Sequence, residues 1–255
     1  MEVWCNKVAV VTGGNCGIGF SAVKLLLDLN MQVIAVDKNL NNLESLKKDD
    51  KSIENGISQR LHPLKVDLRQ EKEVKKVFQW ADNNLGGLDV LVNNAGVGGV
   101  SKLLESDPEE WKNMLDVNVV AFGLCIVEAV TLMKKCATKN GIIINITSNL
   151  AHFVPRYAPF HFYSATKHAA RALAEGFRQE LLSVDEPIRI TSISPGFVKT
   201  DIFKSSLGKD VDKYFVDNFP SINPEDVAAS IKYILSTPPH VTINEIGIRP
   251  TGSEN

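Results

Sequence analysis

Short runs of consecutive apolar residues alternate along this chain with longer amphipathic stretches. The runs fall at residues 8–11, 33–36, 90–92, 142–146 and 188–193, with further candidates at 61–66 and 243–248. Their hydrophobicity is continuous rather than alternating, which fits parallel strands buried on both faces. Between them, residues 21–29, 71–85, 109–135 and 164–182 carry helical periodicity. The alternation predicts an α/β chain with a doubly wound parallel β-sheet of about seven strands, flanked by helices on both faces. Residues 201–221 are the least regular stretch and are expected to form a mobile substrate lid. After them, Asn223-Pro224-Glu225-Asp226 reads as a helix cap, a first-turn proline and an acidic first turn.

At 255 residues, 44% hydrophobic and 23% charged, the chain suffices for one well-buried domain spanning 1–255. A net charge of -2 and a pI near 6.2 offer no basic field to nucleic acid or an anionic membrane, so neither is expected as a partner. No apolar run reads as long enough to span a bilayer. Cys5, Cys16, Cys125 and Cys136 show neither Cys-x-x-Cys nor Cys/His ligand spacing, and His152, His161, His168 and His240 show no metal spacing. Free thiols, no metal and a cytoplasmic location are the expectation. Residues 1–7 lack a charged and then apolar signal, which agrees with that location.

Two groups of residues carry chemistry. The first apolar run leads into Thr12-Gly13-Gly14-Asn15-Cys16-Gly17-Ile18-Gly19 and then a helix. Backbone amides at such a helix start face a pyrophosphate; Gly13 makes the tight turn, Gly17 admits the phosphates and Gly19 lets the helix pack closely on the sheet. Asp37 closes the second run eighteen residues beyond Gly19, where a carboxylate accepts hydrogen bonds from adenosine ribose hydroxyls, or else starts a turn. That placement favours NAD over NADP, because a 2′-phosphate beside it meets repulsion of up to about 4 kcal/mol, softened by Lys38. In the second group, Tyr163 and Lys167 stand four residues apart, on one face of a predicted helix. At about 5 Å and a dielectric near 20, the ammonium stabilises a phenolate by about 3 kcal/mol, or about two pKa units, bringing it into working range.

With Asn93-Asn94-Ala95-Gly96, Asn118, Ser148 and Pro195-Gly196 in order, these motifs resemble the short-chain dehydrogenase/reductase family over nearly the whole chain. The resemblance implies a single-domain Rossmann fold and a homodimer or homotetramer formed through the long helices. It makes Tyr163 the acid/base, Lys167 its partner and a hydrogen-bond donor to the nicotinamide ribose, and Ser148 the holder of the substrate oxygen. Asn118 then positions a water linking Lys167 to solvent, or is a satisfied core amide. Gly13, Asn15, Cys16, Gly17, Ile18, Gly19, Asp37, Lys38, Leu68, Asn94, Ala95 and Gly96 become cofactor contacts, joined by Tyr163, Lys167, Pro195, Gly196, Val198 and Thr200. Asp67 holds the adenine amino group or simply caps a helix. Within the family, the chain's two ends and its 161–167 block resemble the farnesol dehydrogenases and dehydrogenase/reductase member 11, which carry a basic residue and no aspartate at the position of Asp37 and use NADP.

The expected function is hydride transfer between NAD(H) and a lipophilic primary or secondary alcohol or carbonyl (isoprenoid, steroid-like or medium-chain). NADP-dependent carbonyl reduction or farnesol dehydrogenation is the alternative, with a catalytically silent dinucleotide-binding regulator and a structural subunit of a larger assembly behind it. The substrate class rests on residues 149–162, which hold four aromatics, two prolines and one formal charge, Arg156, between Ser148 and Tyr163. They, with Phe197 and Phe203, line a substrate pocket or pack into neighbouring helices or a subunit contact.

Overall fold

The computed structural model describes residues 2–48, 56–99, 101–156, 158–184, 186–200, 202 and 219–253. Seven parallel strands form one sheet in the order β3-β2-β1-β4-β5-β6-β7. They are β1 Val8–Thr12, β2 Gln32–Asp37, β3 Leu61–Lys65, β4 Val90–Asn93, β5 Gly141–Ile146, β6 Ile188–Pro195 and β7 Glu245–Ile248. The helices are α1 Gly17–Asp28, α2 Asn41–Lys48, α3 Ile57–Arg60, α4 Glu71–Leu85, α5 Pro108–Leu115, α6 Phe122–Lys135, α7 His161–Ser183 and α8 Pro224–Ser236.

The unbroken apolar runs are explained by the two faces of the sheet. Val8 and Val10 of β1 enter one core with Val74, Phe78, Ile126 and Ala170, from α4, α6 and α7. Their neighbours Ala9 and Val11 enter the other, with Val23, Leu26, Val227 and Ile231 from α1 and α8. β5 divides likewise, Ile143 to the first core and Ile142, Ile144 and Ile146 to the second. Each such Val, Leu, Ile or Phe side chain contributes about 1.5–3 kcal/mol by leaving water, so the central strand positions are mostly apolar in both directions. Trp4 seals the second core, 1% exposed, its indole donating to Leu235 O at 2.8 Å.

Boundaries differ from the sequence reading in informative places. α1 starts at Gly17 rather than Ser21, because the last residues of the glycine loop already wind into its first turn. α2 and α3 carry too few apolar positions to register as periodic segments; α2 buries Leu43 and α3 buries nothing. Residues 108–135 form one continuous helical run, α5 and α6 being joined by a wide, π-type turn over Asp116–Ala121. The expectation that no run is long and apolar enough to cross a bilayer is corrected here, since this helix is so by length and composition. Its apolar residues Met114, Val117, Phe122, Ile126, Leu132 and Met133 are nevertheless buried inside the protein. Most of the expected lid lies outside the described residues. Its exit is fixed: Lys199 N donates to Ile222 O at 2.9 Å and Ile222 N to Phe197 O at 3.0 Å. The cap after it forms as read, Asn223 N donating to Asp226 Oδ2 at 2.7 Å.

Candidate active site

The strand order reverses at β1, whose neighbours are β2 and β4. Chains leaving a sheet at such a point diverge and open a crevice at the carboxyl ends of the strands. The glycine loop lies there. Gly13 and Gly17 have φ of +65° and +53°, which disfavours L side chains. A Cβ on Gly19 would stand 2.0 Å from Gly13 O, and one on Gly17 would stand 2.9 Å from Thr200 Cγ2. Asn94 braces the turn, its Nδ2 donating to Thr12 O at 2.8 Å and Gly13 O at 3.1 Å, while Thr12 Oγ1 accepts from the amides of Asn94 and Ala95. These residues fit a pyrophosphate: a backbone cradle, kept open by missing side chains, at the start of a helix.

Asn15 points elsewhere. Its Oδ1 accepts from Asn42 N at 3.0 Å and Leu43 N at 3.3 Å, so the side chain ties the loop to α2. Asp37 does two jobs, accepting from Asn15 N at 3.1 Å and from Asn39 N at 3.2 Å; the turn and the loop thus share one carboxylate. Asp67 is not the cap of α4, a place taken by Gln70. Arg69, which the sequence reading passes over, grips Asp67 in a fork of 3.0 Å (Nε to Oδ1) and 2.6 Å (Nη2 to Oδ2), and Lys38 Nζ stands 3.4 Å from Oδ1. The Arg69 hydrogen bonds, helped by Lys38, hold the Asp67 carboxyl down to about 2. Leu68 is buried in the core, which leaves only its backbone for a ligand.

Ser148, Tyr163 and Lys167 come together where β5 ends. Ser148 follows that strand, its Oγ accepting from Leu150 N at 3.1 Å. Tyr163 and Lys167 stand on the first turns of α7, the ammonium 5.6 Å from the phenol ring centroid. Ser148 and Tyr163 are hydrogen-bonded. Lys167 Nζ donates to Ile146 O at 3.2 Å. Asn118, on the wide turn, faces Gly96 and α7: its Nδ2 donates to Val97 O at 2.9 Å and Thr166 Oγ1 at 3.0 Å, and its Oδ1 accepts from Val97 N at 2.9 Å. Its side-chain amide is thus satisfied by protein and joins the α7 helix to the Gly96 loop.

The electrostatics depart from the sequence reading. Burial pushes the Tyr163 phenol well above its ordinary 10.0, the Ser148 hydrogen bond acting the other way, and draws the Lys167 ammonium down to about 8. Estimating the pair's attraction alone omits the cost of holding either charge out of water, and here that cost is larger. The phenol is therefore kept as a proton donor by the protein itself.

A cavity of about 1180 Å³ opens over these groups, lined by Ser148, Tyr163 and Lys167 together with Ile18, Asn94, Gly96, Pro195, Gly196, Val198 and Thr200. Phe153, Val154, Pro155, Phe160, Phe197 and Phe219 give it an apolar side, with Arg156 as its charge there. Of the four aromatics between Ser148 and Tyr163, two face the cavity, while Phe162 stacks on Trp111 at 4.7 Å and 6°. Tyr157 and Phe203 lie outside the described residues. Phe219 belongs to the 201–221 stretch read as a substrate lid, but no spacing singles it out there.

A model of the short chain dehydrogenase family matches residues 7–210. The chain belongs to the short-chain dehydrogenase/reductase family. This family member is 39% identical over 253 residues to dehydrogenase/reductase SDR family member 11 of Mus musculus, covering 98% of this chain and 96% of that protein. To the farnesol dehydrogenase of Aedes aegypti it is 35% identical over 255 residues, covering 100% of both. Among solved structures, the closed form of serine dehydrogenase complexed with NADP+ matches with a TM-score of 0.87 at 25% identity, over 97% of this chain and 96% of that one. An alcohol dehydrogenase from the archaeon Thermococcus sibiricus, complexed with 5-hydroxy-NADP, gives 0.82 at 25% identity over 98% of each chain. Like its relatives, this dehydrogenase/reductase is an oxidoreductase of nicotinamide dinucleotides.

The buried ammonium has a stability consequence. Lys167 gives up its proton at about 8 in the folded protein against 10.5 ordinarily, so the unfolded chain binds more protons between those values and stability rises with pH there. The penalty below that window is on the order of 3 kcal/mol, more than the roughly 1 kcal/mol net worth of the hydrogen bond to Ile146 O. Lys167→Met is expected to melt higher than wild type near neutrality, with the gap closing as pH rises from about 8 to 10.5. Thermal melts across that range check it; a gap independent of pH would contradict the assignment.

Proposed function

We propose that the enzyme transfers hydride between NAD(H) and a lipophilic primary or secondary alcohol or its carbonyl, with Tyr163 as acid/base. The observation that carries this is that Ser148 and Tyr163, hydrogen-bonded to each other, line a cavity with an apolar side. In this reading Gly13, Gly17 and Gly19 take the pyrophosphate, Asp37 the adenosine ribose, and the backbone from Pro195 to Val198 with the Thr200 hydroxyl the carboxamide. A bound dinucleotide supplies the hydride acceptor or donor, and its oxidised ring adds a positive charge that favours an ionised phenol. Ser148 holds the substrate oxygen beside Tyr163 Oη, which gives a proton to a carbonyl or takes one from an alcohol. Lys167, next to both, orients the ribose and moderates the charge on the phenol.

Use of NADP is a second reading. The solved relatives complexed with NADP+ and 5-hydroxy-NADP favour it, as do Lys38 and Arg69, which stand within reach of the carboxylate that follows β3. Asp37 supports NAD, because it lies at the end of β2 and half-buried beside the glycine loop. A cytoplasmic homodimer or homotetramer is part of the proposal. Exposed Leu115, Val120 and Val127 on the long helical run and Leu182 on α7 are the positions such an interface would cover.

Tyr163→Phe is expected to leave less than about a tenth of wild-type turnover while dinucleotide affinity stays within a few-fold, since the hydroxyl moves a proton and barely holds cofactor. Steady-state kinetics with fluorescence titration separates the two effects. The ratio of kcat/KM with NAD to that with NADP is expected to be at least about ten and to narrow in Asp37→Ala; an equal ratio in wild type hands the site to NADP. With primary alcohols from about three carbons to ten, kcat/KM is expected to climb, each buried methylene adding about 0.8 kcal/mol. A flat series, or a charged substrate preferred to all of these, overturns the lipophilic pocket.

A further inference from the structure

One carboxylate behind the site collects three donors from three different elements. Glu245 stands at the start of β7, the last strand of the sheet, and its side chain is 26% exposed. Its Oε1 accepts from Ser194 Oγ at 2.6 Å and lies 2.7 Å from His152 Nε2; its Oε2 accepts from Arg171 Nε at 3.3 Å. Ser194 is also 2.8 Å from Thr147 Oγ1, whose hydroxyl reaches Ile193 O at 2.9 Å. Burial raises the Glu245 carboxyl, but the hydrogen bonds from Ser194, His152 and Arg171 and the attraction of His152 together outweigh it and leave the group below its ordinary value, so it is ionised near neutrality.

The donors are placed where the chemistry needs alignment. Thr147 and His152 bracket Ser148 and the short helical turn that follows it, Asn149–Ala151. Ser194 directly precedes Pro195 and Gly196, which line the cavity. Arg171 lies on α7 four residues after Lys167, one helical turn further on. Resting on the oxidoreductase reading, we propose that Glu245 is a positioning residue: an ionised carboxylate that registers the Ser148 turn, the Pro195–Gly196 loop and the Tyr163/Lys167 helix against one another. It is not among the residues that line the cavity. The bonds to Ser194 and His152 are the short ones and carry most of the alignment; the Arg171 pair is longer, with the arginine side chain 49% exposed, and adds least. Sequence reading misses Glu245 because its partners lie between 51 and 93 residues away.

The test compares Glu245→Ala, Glu245→Gln and His152→Ala with wild type. Decanol with NAD is the kinetic probe, NADH fluorescence reports dinucleotide affinity, and hydrogen exchange is read over residues 147–152. Glu245→Ala is expected to lower kcat by about tenfold while KM and NADH affinity stay within about threefold. The 147–152 amides should exchange faster without loss of protection in β1 or β4. Glu245→Gln, whose amide oxygen still accepts from Ser194 and His152, should recover at least half of the lost rate on a logarithmic scale. Adding His152→Ala to Glu245→Ala should cost little more, because the His152–Glu245 bond is already gone and only the longer His152–Ser194 contact, 3.3 Å, is left to lose. A kcat within about twofold of wild type in Glu245→Ala, or additive losses in the double variant, overturns the proposal. If Glu245→Ala does not fold, His152→Ala decides it through the exchange rates of residues 147–152, unchanged rates rejecting the role. Failure of wild type to oxidise any alcohol would count against the substrate reading instead, and the exchange measurement would still judge Glu245.

Discussion

Everything at this site depends on placing a cation and a phenol out of water at the carboxyl end of a sheet that is itself apolar on both faces. Lys167 and Tyr163 are each only 5% exposed. A charge in that setting is costly, and the protein meets the cost with few fixed partners: the Ile146 carbonyl for Lys167 and the Ser148 hydroxyl for Tyr163. The same setting makes small changes of charge nearby effective, because they act through a medium of low dielectric. The protonation of the pair thus follows from where it stands as much as from what it is.

That position is a product of the topology. The strands leave the sheet in opposite directions on either side of β1, and the crevice between them receives the glycine loop, the Asn94–Gly96 turn and the ends of β5 and β6. Asn94 and Asn118 are the joints: the first locks the Gly13 turn to β4, the second locks Val97 to α7. Each uses an amide with all or most of its bonding capacity spent on the protein, so its contribution is to hold elements in register.

At the ends of β2 and β3 the charges run in alternating sign along Asp37, Lys38, Asp67 and Arg69. Lys38 and Arg69 both engage Asp67, and Asp37 is engaged by backbone amides. Two cations spent on one carboxylate are less available to a phosphate than two free ones, which is the electrostatic ground for giving weight to Asp37. Nothing in the spacing of the sequence announces that Arg69 takes part, since an exposed arginine after a strand is ordinarily a solvated surface residue.

The sequence by itself determined the sheet, because strands buried on two faces read as short, nearly continuous apolar runs, and their length and β-branched content set them apart from the longer helices between them. It determined the glycine cradle and the four-residue spacing of Tyr163 and Lys167, because local backbone geometry demands those residues at those intervals. Only the tertiary structure decided what surrounds them: that burial and not the neighbouring ammonium governs the phenol, that Asn15 faces α2, that Phe162 packs on Trp111 while Phe219 joins the cavity, and that Glu245 gathers His152, Ser194 and Arg171. These are contacts between segments far apart in the chain. Desolvation and hydrogen-bond geometry depend on where every neighbouring segment comes to rest, and no short-range pattern encodes that.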